Sequence, residues 1–261
     1  MRIISDLYEF LGEDRWDSPH TVVECRRALS PSSLPGIDYA LNPYGGCEHG
    51  CIYCYAPEVT HTPWAEWRTV KVKTNIASRL SKELPNIDGT IGIGTVTDPY
   101  QAAESRFELT RTCLRKLKAD DFRVHVHTKS DLILRDLDLI KGMRGDFAIT
   151  ITTMDERVSK RTEPGAPLPG RRLAALKELT EAGADTYALV GPVLNTLEGK
   201  EDDFAEAVAS TGVRRMYIDR LNERPVLGQR LNAMGLSGSR ISLERIRATA
   251  GKMGIKVFDV F

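Results

Sequence analysis

Three cysteines fall within eight residues, in the run Gly45-Gly46-Cys47-Glu48-His49-Gly50-Cys51-Ile52-Tyr53-Cys54-Tyr55. The spacing is C-x3-C-x2-C, which offers three thiolates and no fourth. An iron–sulfur cubane takes four ligands, normally all cysteine. Three therefore leave one iron open to a small molecule, and the motif points to a cluster that binds something and does more than store an electron. Gly45, Gly46 and Gly50 let the backbone wrap a bulky group that a Cβ would obstruct. A zinc knuckle and inert core thiols are the other readings. Structural zinc wants four ligands, and His49 lies inside the loop at a spacing unsuited to the usual pairs.

The remaining cysteines are Cys25 and Cys113. Cys113 falls on the apolar stripe of a helical pattern and reads as a buried structural thiol. An odd total with three clustered argues against a secreted disulfide scaffold and for metal binding in a reducing compartment. The 261 residues suit one α/β barrel. The 36 basic and 36 acidic side chains cancel, so nothing calls for a polyanionic partner. The start, Met1-Arg2-Ile3-Ile4-Ser5-Asp6, is acidic early and lacks a long apolar run, so neither a signal peptide nor a membrane span is expected and a cytoplasmic protein is the default.

Strand-like runs occur at Ile91–Thr95, Val124–Thr128, Phe147–Thr152, Thr186–Val190 and Arg215–Ile218, with a weaker first one at Tyr39–Leu41. Helical faces separate them. Leu109, Cys113 and Leu117 recur every four residues; Leu173, Leu176 and Leu179 recur every three, with Gly183 placed to stop that helix. Alternation about six times over predicts parallel strands with helices outside, and right-handed crossovers curl them into a full or partial barrel. Residues 1–36 read as an N-terminal extension, 37–222 as the core, and 223–261 as a C-terminal cap over the opening.

The informative motifs follow predicted strands, where loops of parallel α/β folds converge on a site. Thr97-Asp98-Pro99 follows the second, Lys129 the third, Thr150 and Thr152 end the fourth, with Glu163 after them, and Val190 and Val193 flank the turn after the fifth. Each has a plainer reading. Asp before Pro favours a turn, Lys129 suits a solvated strand end, the threonines are good strand formers, and Glu163 can pair with Arg161 or Arg171. His125 and His127 alternate within the third strand and share a face, toward either the interior or the helices.

The cysteine motif resembles that of the radical S-adenosylmethionine (SAM) superfamily, which has an aromatic just before the last cysteine. Asn42-Pro43-Tyr44, Cys54-Tyr55-Ala56, Thr97-Asp98-Pro99-Tyr100-Gln101, Thr128-Lys129-Ser130 and Glu163-Pro164 resemble, more closely, its spore photoproduct lyase-like branch. The resemblance implies a partial (β/α)6 TIM-like barrel, a [4Fe-4S] cluster on Cys47, Cys51 and Cys54, and SAM on the open iron. Reductive cleavage of SAM would give a 5′-deoxyadenosyl radical that abstracts hydrogen from a nucleic acid base, a protein or a metabolite. The electron would come from an external carrier such as ferredoxin or flavodoxin. By resemblance Tyr53 lies beside the adenine, Thr97 and Asp98 meet the SAM amino group, and Lys129 pairs with its carboxylate. Thr150 or Thr152 touches the ribose or carboxylate, Glu163 the ribose, and Val190 and Val193 wall the adenine. One departure stands out: Thr95 occupies the position of the lyases' hydrogen-donating cysteine, and a threonine O–H is too strong a bond to replace it. A bare electron carrier, with Cys25 reaching in as fourth ligand, and a zinc-stabilised binding module are the rival classes.

Overall fold

The computed structural model describes residues 20–260; the first part of the expected N-terminal extension lies outside them. The apolar runs form strands where expected. In chain order the strands are β1 (His20–Val23), β2 (Leu29–Pro31), β3 (Tyr39–Leu41), β4 (Tyr44–Gly45), β5 (Val70–Lys73), β6 (Thr90–Ile93), β7 (Arg123–Thr128), β8 (Gly145–Thr150), β9 (Thr186–Val190), β10 (Arg215–Ile218) and β11 (Lys256–Asp259). The main sheet runs β11-β10-β9-β8-β7-β6-β3-β2. Every neighbouring pair from β3 to β11 is parallel, and β2 joins antiparallel. Six of these parallel strands make the partial barrel, and β11 adds a seventh. The order is linear: β2 and β11 do not pair, so among the described residues the barrel stays open along one side.

Helices fill the crossovers. Helix Leu109–Ala119 buries Leu109, Cys113, Leu114 and Leu117 on one stripe. Helix Pro169–Glu181 buries Ala175, Leu176 and Leu179 and ends just before Gly183, whose φ of 80° is the left-handed geometry that closes a helix. Burying such leucines is the main source of stability; truncating one to Ala costs about 2–5 kcal/mol.

Strand alternation sorts the side chains. Val124, Val126, Phe147, Ile149, Ala188, Val190, Met216 and Ile218 are buried in the core. Their alternates His125, His127, Asp146, Thr150, Tyr187, Leu189 and Tyr217 line the interior cavity. At the base, Asp146 holds Arg123 and Arg215, each at 2.8 Å, and lies 3.4 Å from His125.

Two stretches of the expected extension are built into sheets. β1 pairs with β5 in a small second sheet, β1-β5-β4, and β2 edges the main sheet. The C-terminal region is built in as well. β11 lengthens the main sheet, and helix Pro225–Asn232 packs Leu227 and Leu231 beside Cys51, Ile52 and Tyr53. Among the described residues no helix is long and apolar enough to cross a membrane.

Candidate active site

The loop between β4 and helix Ala56–Val59 carries all three clustered cysteines into one cavity of about 540 Å³. Gly46 shows why the loop needs glycine. Its φ is 82°, and a Cβ there would sit 2.7 Å from the Trp67 carbonyl oxygen. That carbonyl accepts from Cys47 N at 2.9 Å. Burial pushes all three thiols up in pKa, Cys51 to about 12. They are free, not disulfide-bonded, so binding a metal would release their protons.

The donor set fits a cubane better than a single ion. Among the described residues, no three His, Cys, Asp or Glu side chains converge as a one-ion site requires. His49 is engaged elsewhere, 3.2 Å from Asp98. Cys25 donates to Asn75 Oδ1 at 3.2 Å and is absent from the cavity wall. Cys113 is fully buried on its helix. Neither reaches the loop as a fourth ligand.

Asp98 is saturated. Oδ1 accepts from Thr128 Oγ1 at 2.6 Å and Tyr100 N at 2.9 Å; Oδ2 accepts from Lys129 N at 2.8 Å and faces His49. Two carboxylate oxygens offer about four lone-pair sites, and four partners fill them. Burial raises its pKa, but His49 and these bonds outweigh it and hold the carboxyl at about 2. Asp98 and Thr97 both line the cavity, and the bonds to Asp98 also clamp the cysteine loop to the end of β7. Thr97 plays a similar part: its hydroxyl donates to Gly46 O at 2.5 Å and accepts from Gln101 Nε2 at 3.1 Å.

Glu163 is also enclosed. It is buried and pairs with Arg172 at 2.5 Å, rather than with Arg161 or Arg171. It accepts from Thr152 Oγ1 at 2.8 Å and from the Tyr53 hydroxyl. Burial opposes its charge, yet Arg172 and Lys129 bring its pKa to about 2. Glu163 and Thr152 thus brace Tyr53 and are not among the residues that line the cavity. Thr150, in contrast, lines the cavity. Val190 and Val193 are buried in the core and do not line it; Leu189, Gly191 and Pro192 form that wall. The reason is parity: Leu189 faces in, so Val190 faces the helices.

Lys129 lines the cavity with Nζ 5.4 Å from the Tyr53 ring centre. Burial pulls its pKa down, but Cys51 and Glu163 more than offset this and raise it. Thr95 is on the wall as well, its Oγ1 accepting from Asn42 Nδ2 at 3.0 Å.

Several cavity residues carried little sequence signal. His127 Nε2 lies 2.5 Å from the Tyr187 hydroxyl, and burial lowers its pKa to about 4. Tyr187, Tyr217 and Phe258 form an aromatic row across β9, β10 and β11, with ring centres 4.6 and 5.1 Å apart. Asp219, just beyond β10, lines the wall with its pKa raised by burial to about 6. His alternation on β7 was the one visible hint, and the structure points that face inward.

The profile of the Radical SAM superfamily matches residues 41–219. An uncharacterized protein of Methanocaldococcus jannaschii is 33% identical over 205 residues, covering 77% of this chain and 76% of that protein. An uncharacterized protein of Mycobacterium tuberculosis is 35% identical over 222 residues, and the match covers 77% of this chain but 65% of the mycobacterial one. Among solved structures, a point mutant of spore photoproduct lyase superposes with a TM-score of 0.72 at 14% identity, covering 98% of this chain and 94% of that one. The lyase complexed with dinucleoside spore photoproduct gives 0.67 at 15% identity, covering 92% and 82%. At these identities the likeness is one of fold.

Proposed function

Because this chain belongs to the radical SAM superfamily, whose members use a [4Fe-4S] cluster and SAM, we propose that it is an enzyme that cleaves SAM reductively and takes hydrogen from an organic substrate. The observation that carries this reading is the convergence of three free thiols, Lys129 and Thr150 on one cavity. Cys47, Cys51 and Cys54 would hold the cluster. When bound, the cluster and SAM supply a strong hydrogen-abstracting radical, and that chemistry is theirs.

The chain's own residues do the rest. Lys129, kept charged, pairs with the SAM carboxylate as a mobile point charge. Thr150 offers a hydroxyl from the end of β8. Tyr53, braced by Glu163, presents its ring beside the adenine. Thr97 and Asp98 act through the loop, fixing the cysteines relative to Lys129. Residues 37–222 are the catalytic core on this reading, with 1–36 as an extension and 223–261 as a cap, and the free thiols suit the reducing cytoplasm. The substrate is a nucleic acid base, a protein or a metabolite. Thr95 at the position of the lyases' donor cysteine argues that the product radical is quenched by another route.

The test is anaerobic reconstitution with iron and sulfide, then reduction with SAM present. The expected product is 5′-deoxyadenosine, lost in Cys51→Ala. A wild-type protein with an intact cluster that yields none would sink the proposal. Deuterium transfer into 5′-deoxyadenosine from labelled candidates would then name the substrate.

A further inference from the structure

Helix Glu156–Thr162 lies against the outside of the cysteine loop. Thr162 O accepts from Ile52 N at 2.9 Å, and His49 O accepts from Gly165 N at 3.0 Å. Its inward side buries Ser159 and Thr162. Its exposed side carries Arg157, Lys160 and Arg161, spaced i, i+3 and i+4, so the three cations share one face.

A bland origin accounts for part of this. Cations in a last turn complement the helix dipole by a few tenths of a kcal/mol. That covers Lys160 and Arg161. It does not cover Arg157, which sits in the first turn where the dipole disfavours it. The chain's net charge is zero, so the concentration is local. The acids nearby are engaged: Asp155 caps the helix and pairs with Lys200 at 3.0 Å, and Glu156 lies 3.9 Å from Lys160. The face is also wired to the loop. From Arg161 the path runs along the chain to Thr162, across one hydrogen bond to Ile52, and on to Cys51.

We propose that this face, Arg157, Lys160 and Arg161, is the docking site for an acidic one-electron carrier protein that reduces the cluster. The inference rests on the radical SAM reading above. The step is a single electron transfer: the carrier is oxidised by one electron, the cluster is reduced by one, and no bond is made or broken. Complementary charge steers such encounters and loses force with salt.

The probe is flavodoxin hydroquinone, with photoreduced deazaflavin as a small reductant that needs no docking site. The variant is Arg157→Glu with Arg161→Glu, and Lys252→Glu is a charge-reversal control on a distant helix. We expect flavodoxin to reduce the reconstituted variant's cluster about tenfold more slowly than wild type, with a flatter dependence on ionic strength. Deazaflavin reduction of the variant and flavodoxin reduction of the control should match wild type. In cluster-free protein, flavodoxin should bind the variant more weakly at low salt, which separates docking from turnover. An unchanged flavodoxin rate, or an equal loss with both reductants, would overturn the proposal. A wild-type protein that assembles no cluster would instead overturn the functional reading beneath it.

Discussion

Asp219 is held with its backbone fixed on both sides, its N–H donating to Val190 O at 2.9 Å and its C=O accepting from Val193 N at 3.1 Å. Among the described residues its carboxyl forms no ion pair; burial, opposed by the Arg220 backbone N–H, raises its pKa from 3.8 to about 6. A carboxyl raised on folding contributes stability below its unfolded pKa and loses it as pH climbs through the folded one. Asp219→Asn should therefore melt higher than wild type at pH 8 and match it near pH 4, as thermal denaturation at the two pH values would read. A variant no more stable at pH 8 would mean the carboxylate is already compensated. The residue scale also marks what the chain reveals unaided. The cysteines were legible because their chemistry is local and their spacing needs no fold. The closure of Asp98 was not, because beyond Tyr100 N in its own turn, His49 reaches it from the cysteine loop and Thr128 and Lys129 from the end of β7. A carboxylate looks the same in sequence whether it is open or saturated.

At the scale of elements, the segment from helix Glu156–Thr162 to helix Pro169–Glu181 braces the cysteine loop. Arg172 reaches from the second helix to Glu163, and neither is more than 1% exposed. Removing one member of such a pair strands a buried charge, at a cost of about 3–5 kcal/mol. Arg172→Met should lose stability on that scale in denaturant unfolding, and adding Glu163→Gln should restore a large part of it. Additive losses would show that the two do not act as a pair. Gly165 is the tightest point of contact, since a Cβ there would lie 2.1 Å from Glu48 O. Gly165→Ala should destabilise by about 1–3 kcal/mol and lower the iron content after reconstitution; full iron loading at wild-type stability would contradict this. The parallel strands were readable from their apolar runs to within a few residues. β5 was passed over although Val70-Lys71-Val72-Lys73 alternates as a half-buried strand should. β1 and β2 gave no such signal: they are short and draw their order from β5 and β3.

For the molecule as a whole, the segment after Asn222 belongs to the site's support. Arg230 donates to Ile52 O at 2.5 Å and Cys54 O at 2.8 Å, with its guanidinium 3.6 Å from the Trp64 ring centre. A chain ending at Asn222 would lose these bonds, the apolar cover of Leu227 and Leu231, and β11. It should show reduced solubility or a lower melting point and fail to retain iron. A truncated chain that keeps wild-type iron content would show that the core stands alone.

The unpaired edges of the main sheet border the same cavity. Leu34 to Ile37, between β2 and β3, line it on one flank, and Asp259 and Val260, at the end of β11, line it on the other. A sealed cylinder accepts only what passes through its mouth, and a long chain would have to be threaded end first. A cylinder split lengthwise has a side door. One unit of a polymer could swing in through such a slit while its neighbours stayed outside, a route that a sealed cylinder denies.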